Sequence, residues 1–266
     1  MKHNSFFRRY LGIPYIIYLV LFVVMPLFVL IYYAFTGRDG SFTVKNFIGF
    51  FTQSNTLGTL FYSVILAFTT TVVCLLVAYP VAYILATSSL KKKSVILMAF
   101  VMPMWINFTL RITALKEILT LIEHNLAFHP FINSVIGMTY DFLPFMIMPI
   151  YNVIMGIDKC LTEAAGDLGA STLQSFTKVV LPLSVPGIIS GVTMVFLPSM
   201  TNYVVLDMLY NSTYIMGSLI GSYFSAYDWH NGSMISIVLL VIILLMTALT
   251  GKKDGKGDGK KKEAYV

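Results

Sequence analysis

Residues 161–187 read LTEAAGDLGASTLQSFTKVVLPLSVPG. The segment stands between two strongly apolar stretches, yet it carries Glu163, Asp167, Gln174 and Lys178 in a regular pattern. Thr162-Glu163-Ala164-Ala165 followed by Gly169 reads as a short helix: a polar start with Glu163 in the first turn, small residues that permit close approach, then a glycine stop. Ser171 with Gln174 three residues on forms a capping-box pattern that opens a second helix, and Pro182 is expected to close it. The product is a helix, a sharp bend and a helix. A plain linker would be more polar and would need neither the paired alanines nor the two stops. The shape suits insertion into a groove on another protein.

The flanks say where this element sits. The 266 residues are 57% hydrophobic and 11% charged, with a mean hydropathy of +0.80, so polar side chains are too few to cover a soluble globule. A helix needs about 20 apolar residues to cross a hydrocarbon core of roughly 30 Å, and it satisfies its backbone hydrogen bonds internally. Six such stretches are read at 11–35, 60–86, 94–116, 134–156, 183–205 and 232–250. The expected fold class is all-α, a polytopic membrane bundle of six transmembrane helices occupying residues 1–250. The first stretch follows Arg8 and Arg9 as a signal peptide would, but it is too long for an h-region and no A-x-A site follows, so it reads as a retained span. The tail 251–266, GKKDGKGDGKKKEAYV, has too few apolar residues to fold and is expected to be disordered, resting on anionic membrane lipid.

Lysine and arginine are distributed unevenly. Lys2, Arg8 and Arg9, then Lys91 to Lys93, then Lys159 and Lys178, then six tail lysines all fall on one side of the six-span arrangement. The opposite connections hold Arg38 and Lys45, Arg111 and Lys116 lie near the outer end of the third span, and 206–231 holds neither residue type. Both termini are therefore expected in the cytoplasm, with the loop at about 157–182. The net charge of +6 follows from this bias and calls for no nucleic acid.

Several chemistries find no support. A phosphate loop needs G-x-x-x-x-G-K-[ST], which occurs nowhere, so this chain is not expected to hydrolyse ATP. H-E-x-x-H, G-x-S-x-G and clustered metal ligands are absent too, which argues against a membrane-embedded enzyme. His124 and His129 read as solvated loop histidines. Cys74 and Cys160 stand at different levels of the membrane, and no disulfide is expected. Pro80, Pro103, Pro144, Pro149 and Pro198 interrupt the spans, which suits a packed, moving bundle with internal partners for the freed carbonyls. Asp141 lies within the fourth span, where a carboxylate costs roughly 2.5–3.5 kcal/mol on insertion scales. It reads either as a cavity-facing group or as a hydrogen-bonded residue of a helix contact.

Glu163-Ala164-Ala165, three residues, Gly169, nine residues, then Val179-Val180-Leu181-Pro182 resembles the EAA loop of ABC importer permeases, with Val179 in place of the usual isoleucine. MPMWINFTLRITALKEIL (102–119), FLPFMIMPIY (142–151), LTEAAGDLGAS (161–171) and Asp228-Trp229 resemble the permeases of spermidine/putrescine importers, of the first-permease kind. That second likeness runs along nearly the whole chain.

The resemblance implies a type I importer permease working by alternating access. Glu163, Ala164, Ala165, Gly169, Leu181 and Pro182 would form a coupling helix that docks on an ABC ATPase dimer. ATP and magnesium would be bound by that ATPase, with no cofactor in this chain. It also implies a heterodimer with a second related permease, and an extracytoplasmic polyamine-binding protein that reaches the outer loops 36–59, 117–133 and 206–231. A polycationic substrate would be met by carboxylates and aromatic faces, and the candidates are Asp141, Tyr140, Trp105, Tyr203 and Asp207. Trp105 and Tyr203 also read as membrane-interface aromatics. The alternatives are an importer permease for another small solute, a membrane-embedded enzyme and a passive channel; the last would not need a docking helix.

Overall fold

The structure is a computed structural model and describes residues 13–37, 39–52, 54–88, 91–209 and 215–251. Lys2, Arg8, Arg9, Arg38 and the tail from 252 onward lie outside the described residues. Among those described, the regular secondary structure is helical apart from one isolated antiparallel bridge, Thr36 to Phe42. The helices are α1 (Pro14–Ala34), α2 (Lys45–Thr52), α3 (Ser54–Thr87), α4 (Lys93–Trp105), α5 (Phe108–Glu123), α6 (Pro130–Met155), α7 (Lys159–Asp167), α8 (Thr172–Ser199), α9 (Tyr203–Leu209), α10 (Met216–Ser225) and α11 (Trp229–Gly251). They fall into two compact units, Met1–Gly58 with Ser218–Ile243, and Thr59–Gly217 with Leu244–Val266.

In the first unit, α1 turns into α2 through Asn46, whose side-chain amide donates to the Ala34 and Thr36 carbonyls at 3.1 and 3.2 Å. Asp228 accepts from the backbone N–H of Asn231 at 3.2 Å and so caps the start of α11. Along α1, Tyr15, Phe22 and Phe28 are all exposed. Apolar surface of this extent suits hydrocarbon or a covering protein rather than water.

Among the described residues four helices, α1, α3, α6 and α8, are long and apolar enough to cross a membrane. The expected third span, 94–116, is not one helix. α4 and α5 pass the same test together but meet at an angle of 101°. The cause is local: Pro103 is the second residue of a 3₁₀ turn over Met102–Trp105, Ile106 is extended (φ −79°, ψ 145°), and Asn107 caps a new helix by accepting from the Thr109 N–H at 2.9 Å. The sixth stretch falls on α11, whose apolar part is Trp229–Leu245.

The fifth span also differs from expectation. Pro182 does not end a helix, because α8 runs unbroken from Thr172 to Ser199. A π turn over Phe176–Val180 comes just before it, with the Leu181 N–H donating to the Phe176 carbonyl. The widened turn takes in the missing N–H and the ring of Pro182 without a break. α1 repeats the device: a π turn over Val20–Val24, closed by the Met25 N–H on the Val20 carbonyl, directly precedes Pro26. The far end of α8 stops at Ser199, so Tyr203 belongs to the separate helix α9.

The second unit is centred on α6 and α8. Met146, Ile147 and Ile150 of α6 are fully buried, as are Leu66, Cys74, Ala78 and Ala82 of α3. Close approach depends on two α8 glycines: a Cβ on Gly187 would sit 2.9 Å from the Pro149 carbonyl oxygen, and one on Gly191 would sit 2.6 Å from Met146 Sδ.

Candidate functional site: a capped polar loop and a buried ion pair

The loop around Glu163 is more fully capped than its sequence suggests. α7 begins at Lys159, not Thr162, because Asp158 is the N-cap and accepts the Cys160 N–H at 3.0 Å. Glu163 therefore stands beyond the first turn, where the helix dipole adds little. At the other end Gly169 takes the left-handed conformation, φ +79°. Its N–H donates to the Gly166 carbonyl at 2.8 Å, and the Ala170 N–H donates to the Ala165 carbonyl at 2.9 Å. These two bonds make a Schellman motif. Ser171 and Gln174 then form the expected capping box, with bonds of 3.3 and 3.0 Å, and α8 begins.

The loop leaves apolar side chains uncovered. Leu161 and Leu173 are exposed, and Leu168 is 89% exposed, beside exposed Glu163 and Ala164. Ala165 is half-buried; Leu181 and Pro182 are exposed at the foot of α8. A cavity of about 330 Å³ borders α7, lined by Lys93, Met155, Lys159, Thr162 and Glu163 among others. The backbone N–H of Cys160 holds the Asp158 carboxyl below its ordinary range, and hydrogen bonding to Asp158 with its negative charge pushes the exposed Cys160 thiol up. Cys74 and Cys160 are both free.

Asp141 lies in a second constellation, on α6. Arg111 Nη2 of α5 donates to its Oδ1 at 2.7 Å, and both side chains are only 8% exposed. Asn202, in the bend between α8 and α9, donates from Nδ2 to Oδ2 at 3.3 Å. The guanidinium carbon lies 5.9 Å from the ring centres of both Phe108 and Tyr140. So Arg111, read from sequence as near the outer end of a continuous span, is a buried partner of Asp141.

The remaining candidates are placed less closely together. Tyr140 precedes Asp141 and is partly exposed, and Tyr203 opens α9 one residue after Asn202. α9 packs on α6 where Gly137 leaves room for Val205 and Leu209. Asp207 is exposed on α9, and Trp105 is 81% exposed at the α4–α5 bend. Asn202 was not a candidate from sequence; its signal is an amide in the short polar bend Ser199-Met200-Thr201-Asn202 that follows Pro198 between two apolar helices. His129 Nδ1 lies 3.6 Å from Glu123 Oε1, and among the described residues no three His, Cys, Asp or Glu side chains gather as a metal site.

Residues 78–251 match the family described as the binding-protein-dependent transport system inner membrane component. This chain belongs to that family. The permease is 33% identical to the spermidine/putrescine transport system permease protein PotB of Salmonella typhimurium (strain SL1344), over 92% of this chain and 93% of the relative. It is 34% identical to PotB of Escherichia coli (strain K12), over 86% and 91%. Its fold resembles a chain in the crystal structure of a bacterial alginate ABC transporter in complex with an alginate pentasaccharide-bound periplasmic protein, with a TM-score of 0.74 and 14% identity over 93% of both chains. A second structure, of a bacterial ABC transporter that imports the acidic polysaccharide alginate, gives 0.64 at 17% identity. At such identities the likeness concerns fold alone. The permease is thus an all-α inner-membrane transport subunit rather than an enzyme.

Proposed function

We propose that the chain is the first permease of an ATP-driven polyamine importer, working by alternating access beside a second, related permease. α7 is its coupling helix. The observation that carries this reading is the loop itself: a helix closed by an Asp cap, a Schellman turn and a capping box presents Leu161, Leu168 and Leu173 to the outside. Exposed leucines on an element capped at both ends fit a groove on a partner. The lysine and arginine asymmetry supports a cytoplasmic position for this loop and for both termini. The partner is an ABC ATPase dimer that binds the ATP and magnesium. An extracytoplasmic binding protein delivers substrate from the other side. The names of the two PotB relatives support spermidine and putrescine as substrates.

Docking is tested by co-purification. The complex of both permeases is expected to retain the ATPase dimer in mild detergent, and Leu168→Asp is expected to release it while the permeases stay paired. Full retention of the ATPase by Leu168→Asp together with Leu161→Asp would contradict the assignment.

A further inference from the structure

The ion pair between Arg111 and Asp141 is only half made. A guanidinium carries five N–H donors, yet Arg111 gives Asp141 the single bond from Nη2 at 2.7 Å. Its Nε and Nη1 are buried without a hydrogen-bond partner among the described residues. Among the described residues the second carboxylate oxygen has only the longer 3.3 Å bond from Asn202. A buried pair built to hold two helices together gains most when it is bidentate and its spare donors are satisfied, because otherwise the desolvation of both charges goes uncompensated.

The position of the arginine adds to this imbalance. Arg111 lies in the first turn of α5, its N–H on the Asn107 carbonyl at 3.2 Å, where the helix dipole disfavours a cation. Two things offset that: the Asp141 charge, and the faces of Phe108 and Tyr140, each 5.9 Å away. The rings give the guanidinium a seat that does not depend on the carboxylate.

We propose that Arg111 is a specificity-determining residue: a tethered cation that occupies Asp141 until a substrate ammonium takes its place. This rests on the reading of the chain as a polyamine permease. A primary ammonium brings three donors on a compact head and engages both Asp141 oxygens, while the guanidinium shifts onto Phe108 and Tyr140. Sodium and potassium bring no hydrogen-bond donor and do not replace what Arg111 supplies. The carboxylate stays closed to them. No bond is made or broken in this exchange; one cation replaces another on a fixed anion.

A built-in competitor weakens apparent affinity by the fraction of time that the carboxylate is free. If Asp141 is free in about one molecule in ten, removing the competitor tightens binding about ten-fold. The experiment is equilibrium binding of labelled putrescine to the assembled complex without the binding protein. Arg111→Met is expected to bind about ten-fold more tightly than wild type and to become sensitive to potassium. Asp141→Asn is expected to lose binding, and the double variant to behave like Asp141→Asn. An assembled Arg111→Met complex that binds putrescine no better than wild type overturns the proposal. Should Arg111→Met fail to assemble, Arg111→Gln carries the same expectation. Loss of assembly in both makes the pair a packing device and overturns the proposal equally. Wild-type uptake assayed on the same preparation separates the two ideas: putrescine uptake with no effect of Arg111 removes only the exchange, whereas no polyamine uptake removes the transport reading.

Discussion

Ala170 donates its backbone N–H to the carbonyl of Ala165 at 2.9 Å. The bond closes α7 and is possible only because Gly169 between them sits at φ +79°. Nothing stands within 4 Å of where a Gly169 side chain would begin, so conformation rather than space demands glycine. An L-residue in the left-handed region costs about 1–2 kcal/mol, and a β-branched one is disfavoured further. Gly169→Val is therefore expected to unwind the end of α7 while leaving every membrane-crossing helix in place. Uptake should fall about ten-fold or more, the equivalent of about 1.4 kcal/mol, with unchanged permease in the membrane, read by immunoblot beside the transport assay.

Glu163 is exposed and lies beyond the first turn of α7, so on the proposed docking of α7 it acts on the partner more than on its own helix. Glu163→Ala is expected to lower ATPase retention and ATP-driven uptake, with thermal stability of the isolated permease pair within about 0.5 kcal/mol of wild type. Equal losses in stability and in retention would assign Glu163 to the internal structure of the loop.

Gly187 is governed by space instead. Its missing Cβ would lie 2.9 Å from the Pro149 carbonyl oxygen and 3.1 Å from Ile150 Cα, both backbone atoms of α6 that cannot swing aside. Even Gly187→Ala is expected to destabilise the α6–α8 contact by about 1–3 kcal/mol. The measurement is the melting temperature of the detergent-solubilised permease pair. Gly166→Ala, at a position with open space around it, is the control and should leave that temperature unchanged.

Cys160 is exposed, yet Asp158 holds its thiol above the ordinary range through hydrogen bonding and charge. A raised pKa leaves less thiolate at a given pH. Alkylation by iodoacetamide at pH 8 is expected to be slower than for an unstructured cysteine. Asp158→Asn keeps an effective N-cap and removes the charge, so it should speed the reaction. The sign for Asp158 is opposite: its carboxyl titrates below the unfolded value. Its capping contribution is thus fully present above the unfolded pKa and is lost as the pH falls through the folded one.

The local signals in the sequence were strongest where the chain writes its own boundary conditions. Ser171 and Gln174 found each other as a capping box because both partners lie within one turn, and Gly169 stopped α7 because no distant contact competes with its conformation. Pro182 misled for the opposite reason. A proline reads as a stop, but the π turn over Phe176–Val180 that takes it in has no sequence signature of its own. The third apolar stretch concealed its 101° bend in the same way, since hydropathy counts side chains and does not see that Ile106 is extended. Asp141 was legible as a costly residue needing a partner. That the partner is Arg111, with Asn202 on the other oxygen, depends on how α5 and the bend after α8 pack on α6, and no periodicity carries that information.

ATP-driven uptake of labelled spermidine and putrescine into proteoliposomes tests the central claim most directly. The vesicles carry this permease, its partner permease and the ATPase dimer, with the binding protein added from the side opposite the ATPase. Accumulation of a polyamine that requires both ATP and the binding protein, and that Gly169→Val lowers about ten-fold or more, is the expected result. Uptake of neither polyamine by an assembled complex that hydrolyses ATP and carries another small solute would contradict the account.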